Sequence, residues 1–272
     1  MLMYINWDVN PEIIRINSFA IGYYNFLFVG GIIISYLIVK KIFKKERIPE
    51  EILRGLLKYC FIGIVLGARL GHCLFYEPQY YLHHPIEMLF PFSYRSGELS
   101  FGYRGLASHG GTIGLIIAIV LYHSRVKMNL LQILDHIAIV APLGGMCIRL
   151  GNLMNSEIIG KPTSVPWAFI FTHVDHIPRH PAQLYEAIAY LLIFIMIYSL
   201  YTKKKEVFKS GFFFGLSILA IFTFRFMIEF LKENQVDFES SISLDMGQLL
   251  SIPFIIIGTF FMLKGSIVKI KN

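Results

Sequence analysis

Apolar residues in this chain gather into runs of about 20, the length a helix needs to cross the hydrocarbon core of a bilayer. Seven such runs stand out, at roughly 19–39, 56–76, 106–122, 130–148, 183–201, 211–231 and 247–263, the third being the shortest. Soluble core helices are rarely so long or so uniformly apolar. The pattern therefore predicts an all-α polytopic membrane protein with seven transmembrane helices. The two longest irregular connections fall at 77–105, rich in aromatics, and at 155–182, broken by Pro162, Pro166, Pro178 and Pro181. Within the second, "WAFIF" suits a short strand or an interfacial segment. No fixed-period repeat or low-complexity stretch interrupts this order.

Composition agrees with the pattern. Over 272 residues, 55% are hydrophobic and the mean hydropathy is +0.59, too apolar for an ordinary soluble domain. The N-terminal stretch lacks a basic n-region and a cleavage site, so it reads as an ordered arm over 1–18 and not as a cleaved signal. The expected organisation is one integral membrane domain over 1–272.

Charge adds an orientation. With the first span running from outside to inside, the inside segments hold 16 lysines and arginines and the outside segments 6. Positive charge is retained on the cytoplasmic side, so the N-terminus is expected outside and the C-terminus inside. The long connections then lie on the outer side. The net charge of +7 is mostly this topology signal. Basic runs such as "KKIFKKER" sit at span ends and do not read as nucleic-acid patches. Cys60 and Cys73 share one predicted helix about 19 Å apart at 1.5 Å per residue, too far to pair, and Cys147 lies in another.

Against this background, polar residues inside or beside the spans are informative, and nearly all fall in the outer half. His109 opens the third span, Arg149 closes the fourth, and Asn152, Asn155 and Glu157 follow it. Tyr24 lies near the outer end of the first span. Arg179 and His180 precede the fifth, Gln183 and Glu186 enter it, and Arg225 and Glu229 lie in the outer half of the sixth. Arg69 is in the outer half of the second span, Gln248 opens the seventh, and Asp135 alone falls at an inner end. A charged side chain at the bilayer centre costs about 2.5–3.5 kcal/mol on insertion scales and usually marks a functional cavity. A structural reading also exists: Arg225 and Glu229 are four apart on one helical face and suit mutual neutralisation, and Arg149 suits Glu157 or Glu186. So many groups converging on one leaflet exceed what structure alone requires. Arginines at the outer headgroup level suit a phosphate, held by paired charge-assisted hydrogen bonds. Outer-leaflet phospholipid is the ligand this geometry offers.

Two smaller motifs carry alternatives. "SHGGTIG" places glycines beside His109 at a helix N-terminus, which suits an anion but equally suits close helix packing through Gly110 and Gly114. "HVDHIPRH" clusters His173, Asp175, His176 and His180, yet matches no strong zinc spacing and is broken by Pro178. P-loop, GxSxG and HExxH motifs are absent, so no nucleotide, metal or other cofactor is implied.

The same residues resemble the bacterial prolipoprotein diacylglyceryl transferase family. The resemblance covers the whole chain through "GARLGHCLFY", "SHGG", "RLGNLMNSEIIG", "PRHPAQLYE", "FRFMIEF" and "MGQLLSIP". It implies transfer of a diacylglyceryl group from phosphatidylglycerol to the lipobox cysteine of an exported prolipoprotein, in the bacterial cytoplasmic membrane with the site toward the outer leaflet. Arg149 and Arg225 resemble the family's lipid-binding and catalytic arginines, and His109 its functional histidine. Tyr24, Asn152, Glu157, Gly160 and Glu229 match further lipid-binding positions. Ile148, Ser156, Asn25 and Ile221 depart from the family pattern without removing a charged member. The implied partners are phosphatidylglycerol and prolipoprotein signal peptides, with no nucleic acid, and seven spans around one site need no second subunit. A transporter or scramblase would need polar groups through the whole membrane depth, and an assembly protein would have no use for the arginines.

Overall fold

The computed structural model describes residues 4–16, 19–90, 92–95, 98–101, 105, 107–126, 128–233 and 244–266. Of the cations counted above, Arg104, Lys127, Lys269 and Lys271 lie outside the described residues, as do parts of the 1–18 arm and of the 77–105 connection. Each of the seven apolar runs forms a long helix: α1 (Tyr23–Lys45), α2 (Glu50–Phe75), α5 (Ser108–Val126), α6 (Leu130–Met154), α7 (Ala182–Lys204), α8 (Phe212–Glu229) and α9 (Met246–Ser266). Five of them, α1, α6, α7, α8 and α9, are long and apolar enough to cross a membrane. The helices α2 and α5 have the length but carry more polar residues: Glu50, Glu51, Arg54, Lys58 and Arg69 on α2, His109, His123 and Arg125 on α5.

Between these helices lie short strands, which refine the all-α expectation. Strands β1 (Ile5–Trp7), β6 (Phe169–Phe171) and β7 (Pro178–Arg179) form a three-stranded sheet, with β1 parallel and β7 antiparallel to β6. The "FIF" of the "WAFIF" segment is thus a strand, and Ile5–Trp7 from the N-terminal region pairs with it. Two hairpins complete the set, β2 (Glu12–Ile16) with β3 (Phe19–Gly22) and β4 (Phe92–Arg95) with β5 (Glu98–Phe101). The remaining short helices are α3 (Pro78–His83) and α4 (Pro85–Leu89), each opened by a proline whose missing N–H is harmless in the first turn.

The chain divides into two compact units, 40–133 and the combination of 1–39 with 134–272. In the first, α1 ends with Arg47 in the left-handed region (φ 58°), and the Ile48 N–H bonds back to the Phe43 carbonyl before Pro49 stops the helix. Helices α2 and α5 then pack backbone to backbone. A methyl on Gly67 or Gly110 would overlap the carbonyl of the other, and one on Gly114 would overlap that of Gly63. Gly110 and Gly114 are therefore packing residues, whereas Gly111 makes only ordinary contacts. Arg69, one of the unexplained cations, is buried and donates to the Glu87 carbonyl at 2.6 Å while lying 4.7 Å from the Tyr81 ring centre. It ties α4 to α2.

In the second unit, α8 and α9 cross through Gly215 and Gly258, and a core of Leu153, Phe169 and Phe171 seats the sheet on the end of α6. Trp7 fastens β1 there, donating from Nε1 to the Leu153 carbonyl at 3.0 Å. At the other end of α6, buried Asp135 accepts from the backbone N–H groups of Gly211 and Phe214, each at 2.7 Å. It thereby satisfies the free donors that open α8. The three cysteines are free thiols.

Candidate functional site

The site is built where α6 ends. Arg149 and Asn152 lie three apart, on one face of the helix, and the Arg149 Nη1 reaches the Asn152 Oδ1 at 3.4 Å. After Met154 the chain reverses through two residues with positive φ, Ser156 (54°) and Ile158 (56°), uncommon for any side chain and strained for a β-branched one. The reversal returns Glu157 over the helix end, where its carboxylate accepts from Asn152 Nδ2 at 3.0 Å and Asn155 Nδ2 at 3.1 Å. Gln183, fully buried, donates to the Glu157 carbonyl at 2.6 Å. The departure at Ser156 thus falls at a backbone conformation that glycine adopts without strain.

Gly160 closes the stretch in an isolated bridge with Lys232, while the Lys161 N–H bonds to the Leu231 carbonyl at 2.8 Å. A methyl on Gly160 would overlap the His180 carbonyl, so only glycine lets these segments meet. Gly151 does the same for α1. A Cβ there would lie 2.6 Å from Cδ2 of the Tyr24 ring. Tyr24 stands in the first turn of α1 and, with Asn25, Glu12, Asn155 and Glu157, lines an open cleft of about 390 Å³.

Beneath the loop lies a chain of buried charges. Arg149 Nε is 3.1 Å from Glu186 Oε2, and the Glu186 side chain has no exposed surface. The other carboxylate oxygen of Glu186 accepts from Lys232 Nζ at 3.2 Å, and that ammonium also reaches Glu229 Oε2 at 3.0 Å. Unpaired ions at such burial would each cost several kcal/mol, which is why the cations and carboxylates alternate. Glu229 in turn packs against Gly247 at the start of α9, where any side chain would collide with its carboxylate. The Tyr190 hydroxyl lies within electrostatic reach of Glu186, Arg149 and Arg225. The Arg225 Nε–H is buried and has no acceptor among the described residues.

Of the residues expected at the site, Arg149, Asn152 and Glu157 are therefore directly connected, Glu229 joins them through Lys232 and Glu186, and Arg225 is within electrostatic reach of the Tyr190 hydroxyl. Glu186 is the carboxylate partner of Arg149. The structural alternative, neutralisation of Arg225 by Glu229, does not occur: Glu229 bonds Lys232 instead, and Arg225 has no carboxylate partner among the described residues. His109 belongs to the other unit, exposed in the first turn of α5.

Lys232 was expected as an outer-side loop cation, yet it is 2% exposed. Its position three beyond Glu229 and seven beyond Arg225, on one helical face continued past α8, was the available signal. The "HVDHIPRH" segment is held by other bonds. Arg179 grips Asp175 at 2.6 Å and also pairs with Glu233, and the guanidinium holds the Asp175 carboxyl below its usual range. Desolvation lowers the pKa of His180.

The sequence matches the family model described as prolipoprotein diacylglyceryl transferase over residues 11–264. A protein of Bacteroides fragilis named phosphatidylglycerol–prolipoprotein diacylglyceryl transferase is 54% identical over 264 residues, covering 96% of this chain and 95% of its own. Proteins of the same name from Chloroherpeton thalassium (42% identical, 96% and 94% covered) and Porphyromonas gingivalis (39%, 96% and 95%) align over the same extent. With residues 11–264 matched by the family model and a relative 54% identical over 96% of the chain, the chain belongs to the prolipoprotein diacylglyceryl transferase family.

Proposed function

We propose that this chain is a transferase that moves the diacylglyceryl group of phosphatidylglycerol to the thiol of a prolipoprotein's lipobox cysteine. The observation that carries the residue-level reading is the buried Nε–H of Arg225, which has no acceptor among the described residues. A buried donor without a partner costs about 1–3 kcal/mol, and a phosphate oxygen would satisfy it. In this reading the lipid's phosphodiester sits between Arg149 and Arg225, with Glu186 fixing the first guanidinium. Asn152 and Glu157 orient the headgroup, Tyr24 borders the cleft it enters, and Gly160 acts through its backbone by keeping the signature loop against Lys232. Glu229 belongs to the same lipid-binding set.

The substrate cysteine supplies the nucleophile. Its sulfur attacks the glycerol methylene carbon bonded to the phosphate oxygen, a thioether forms, and the C–O bond breaks with its electron pair leaving on glycerol phosphate. Negative charge grows on that departing phosphate, where guanidinium groups already in place stabilise it without reorganisation. The thiol, with an ordinary pKa near 8.5, must lose its proton, assisted by His109 as base or by a positive local field.

In the membrane, α2 and α5 span together with the five more apolar helices. The N-terminus and the site then face outward in the bacterial cytoplasmic membrane, and one chain suffices for activity. The orientation is supported by the 16-to-6 division of lysine and arginine.

The test is transfer of labelled diacylglyceryl from phosphatidylglycerol to a lipobox peptide. Wild type should yield a thioether product, lost with Arg149→Ala, with Arg225→Ala and with a Cys→Ser peptide. Full activity in Arg225→Ala would remove the phosphate reading.

A further inference from the structure

Arg225 and Glu229 stand one helical turn apart, the spacing at which opposite charges ordinarily pair. In a low-dielectric interior the attraction is stronger than at a surface. The pair is nevertheless open. The Glu229 carboxylate lies 3.0 Å from the ammonium of Lys232, three residues on, and sits against Gly247, where an added methyl would overlap it. Lys232 is as deeply buried as its partners, with 3% of its side chain exposed against 9% for Glu229 and none for Glu186. A buried lysine pays a desolvation penalty that surface lysines avoid, so its place here calls for a reason.

We infer that Lys232 is a positioning residue of the transfer reaction, holding Glu229 away from Arg225 so that the guanidinium is free for the substrate phosphate. The same ammonium bonds one oxygen of Glu186 and leaves the other to Arg149. Lys232 thus fixes the carboxylate that orients one arginine and withholds the carboxylate that would cover the other. Without it, Glu229 has only one cation a turn away to move to, and the phosphate then competes with an internal carboxylate for Arg225. The predicted defect is weaker lipid binding, with the chemical step less affected. Lys232 touches neither substrate nor the reacting atoms in this account.

The inference rests on the phosphate reading above, and a double-mutant cycle separates the two. Initial rates of transfer to a lipobox peptide are measured for the full chain in detergent micelles as the mole fraction of phosphatidylglycerol varies. The proteins are wild type, Lys232→Met, Glu229→Gln, the double variant and Arg225→Ala. Lys232→Met should raise KM for the lipid at least tenfold in the wild-type background but less than threefold when Glu229 is already Gln, since no carboxylate is left to cover Arg225. Equal increments in the two backgrounds, or a loss confined to kcat with KM unchanged, overturn the role of Lys232. If Lys232→Met fails to fold alone, Glu229→Gln against the double variant decides by the same threshold, because that double removes one buried charge of each sign. A wild-type lipid KM in Arg225→Ala would instead remove the phosphate reading itself.

Discussion

Arg149 and Glu186 meet at 3.1 Å, the arginine from the last turns of α6 and the glutamate from the second turn of α7, with no solvent reaching the carboxylate. Glu186 is shared with Lys232, so it serves two cations. Its removal as Glu186→Gln leaves Arg149 without an anionic partner nearby in the buried interior. Breaking a buried pair from one side costs about 3 kcal/mol or more. Unfolding of the variant in mixed micelles should show a loss of that size, with kcat/KM for transfer reduced at least tenfold. A variant as stable as wild type would show that the pair is solvated in the membrane.

Gly151 lets α1 approach α6 so closely that its Cα faces the Tyr24 ring. Gly151→Ala places a methyl where that ring lies and should destabilise the chain by about 1–3 kcal/mol, the usual range for overpacking. Because the displaced ring borders the proposed lipid cleft, KM for phosphatidylglycerol should rise more than stability alone explains. Paired measurements of thermal denaturation and KM check both.

Ser156 combines a left-handed backbone with a buried hydroxyl that has no partner among the described residues. Ser156→Gly removes both burdens. The expected gain is about 1 kcal/mol, the relief of the left-handed conformation less the backbone entropy that glycine loses on folding. Activity should be retained, since Glu157 keeps its own bonds. A drop in melting temperature would contradict the strain argument.

Asp175 and His180 make stability depend on pH in the same direction. Arg179 depresses the Asp175 pKa, so the link contributes above the unfolded value, about 3.9, and is lost as pH falls through the lower folded value. Desolvation depresses His180, so its neutral form is favoured by folding, and stability falls as pH drops from about 6.5 toward the lower folded value. Melting temperature should therefore decline on acidification in two stages. Asp175→Asn should abolish the more acidic stage and His180→Gln the milder one.

The helices were legible because a run so long and so uniformly apolar favours a helix, and all seven runs became helices with ends within six residues of those expected. The signature residues were legible because a charge in such a segment has few structural excuses. Pairing was legible only in part. Sequence reasoning offered Glu186 to Arg149, and that contact forms; it also offered Glu229 to Arg225, and only the position of Lys232 past the end of α8 shows why that contact is refused. Lys232 itself was hidden because a cation between two apolar runs is indistinguishable from a loop charge until its burial is known. Arg69 shows the converse. Depth alone suggested function, whereas its bonds to the Glu87 and Met88 carbonyls make it a brace for α4.

Asp135 has a consequence beyond closing the start of α8. It fastens the beginnings of α6 and α8 together, and Ser217 adds a bond to the Ala138 carbonyl at 2.8 Å one turn further along. Arg149 comes 14 residues after Asp135, and Arg225 comes 14 residues after Gly211, whose N–H that carboxylate holds. At 1.5 Å per residue both arginines stand about 21 Å from the same anchor. One aspartate at the far end therefore ties together the starts of the two helices that carry the arginines, each arginine the same number of residues along its helix from that tie.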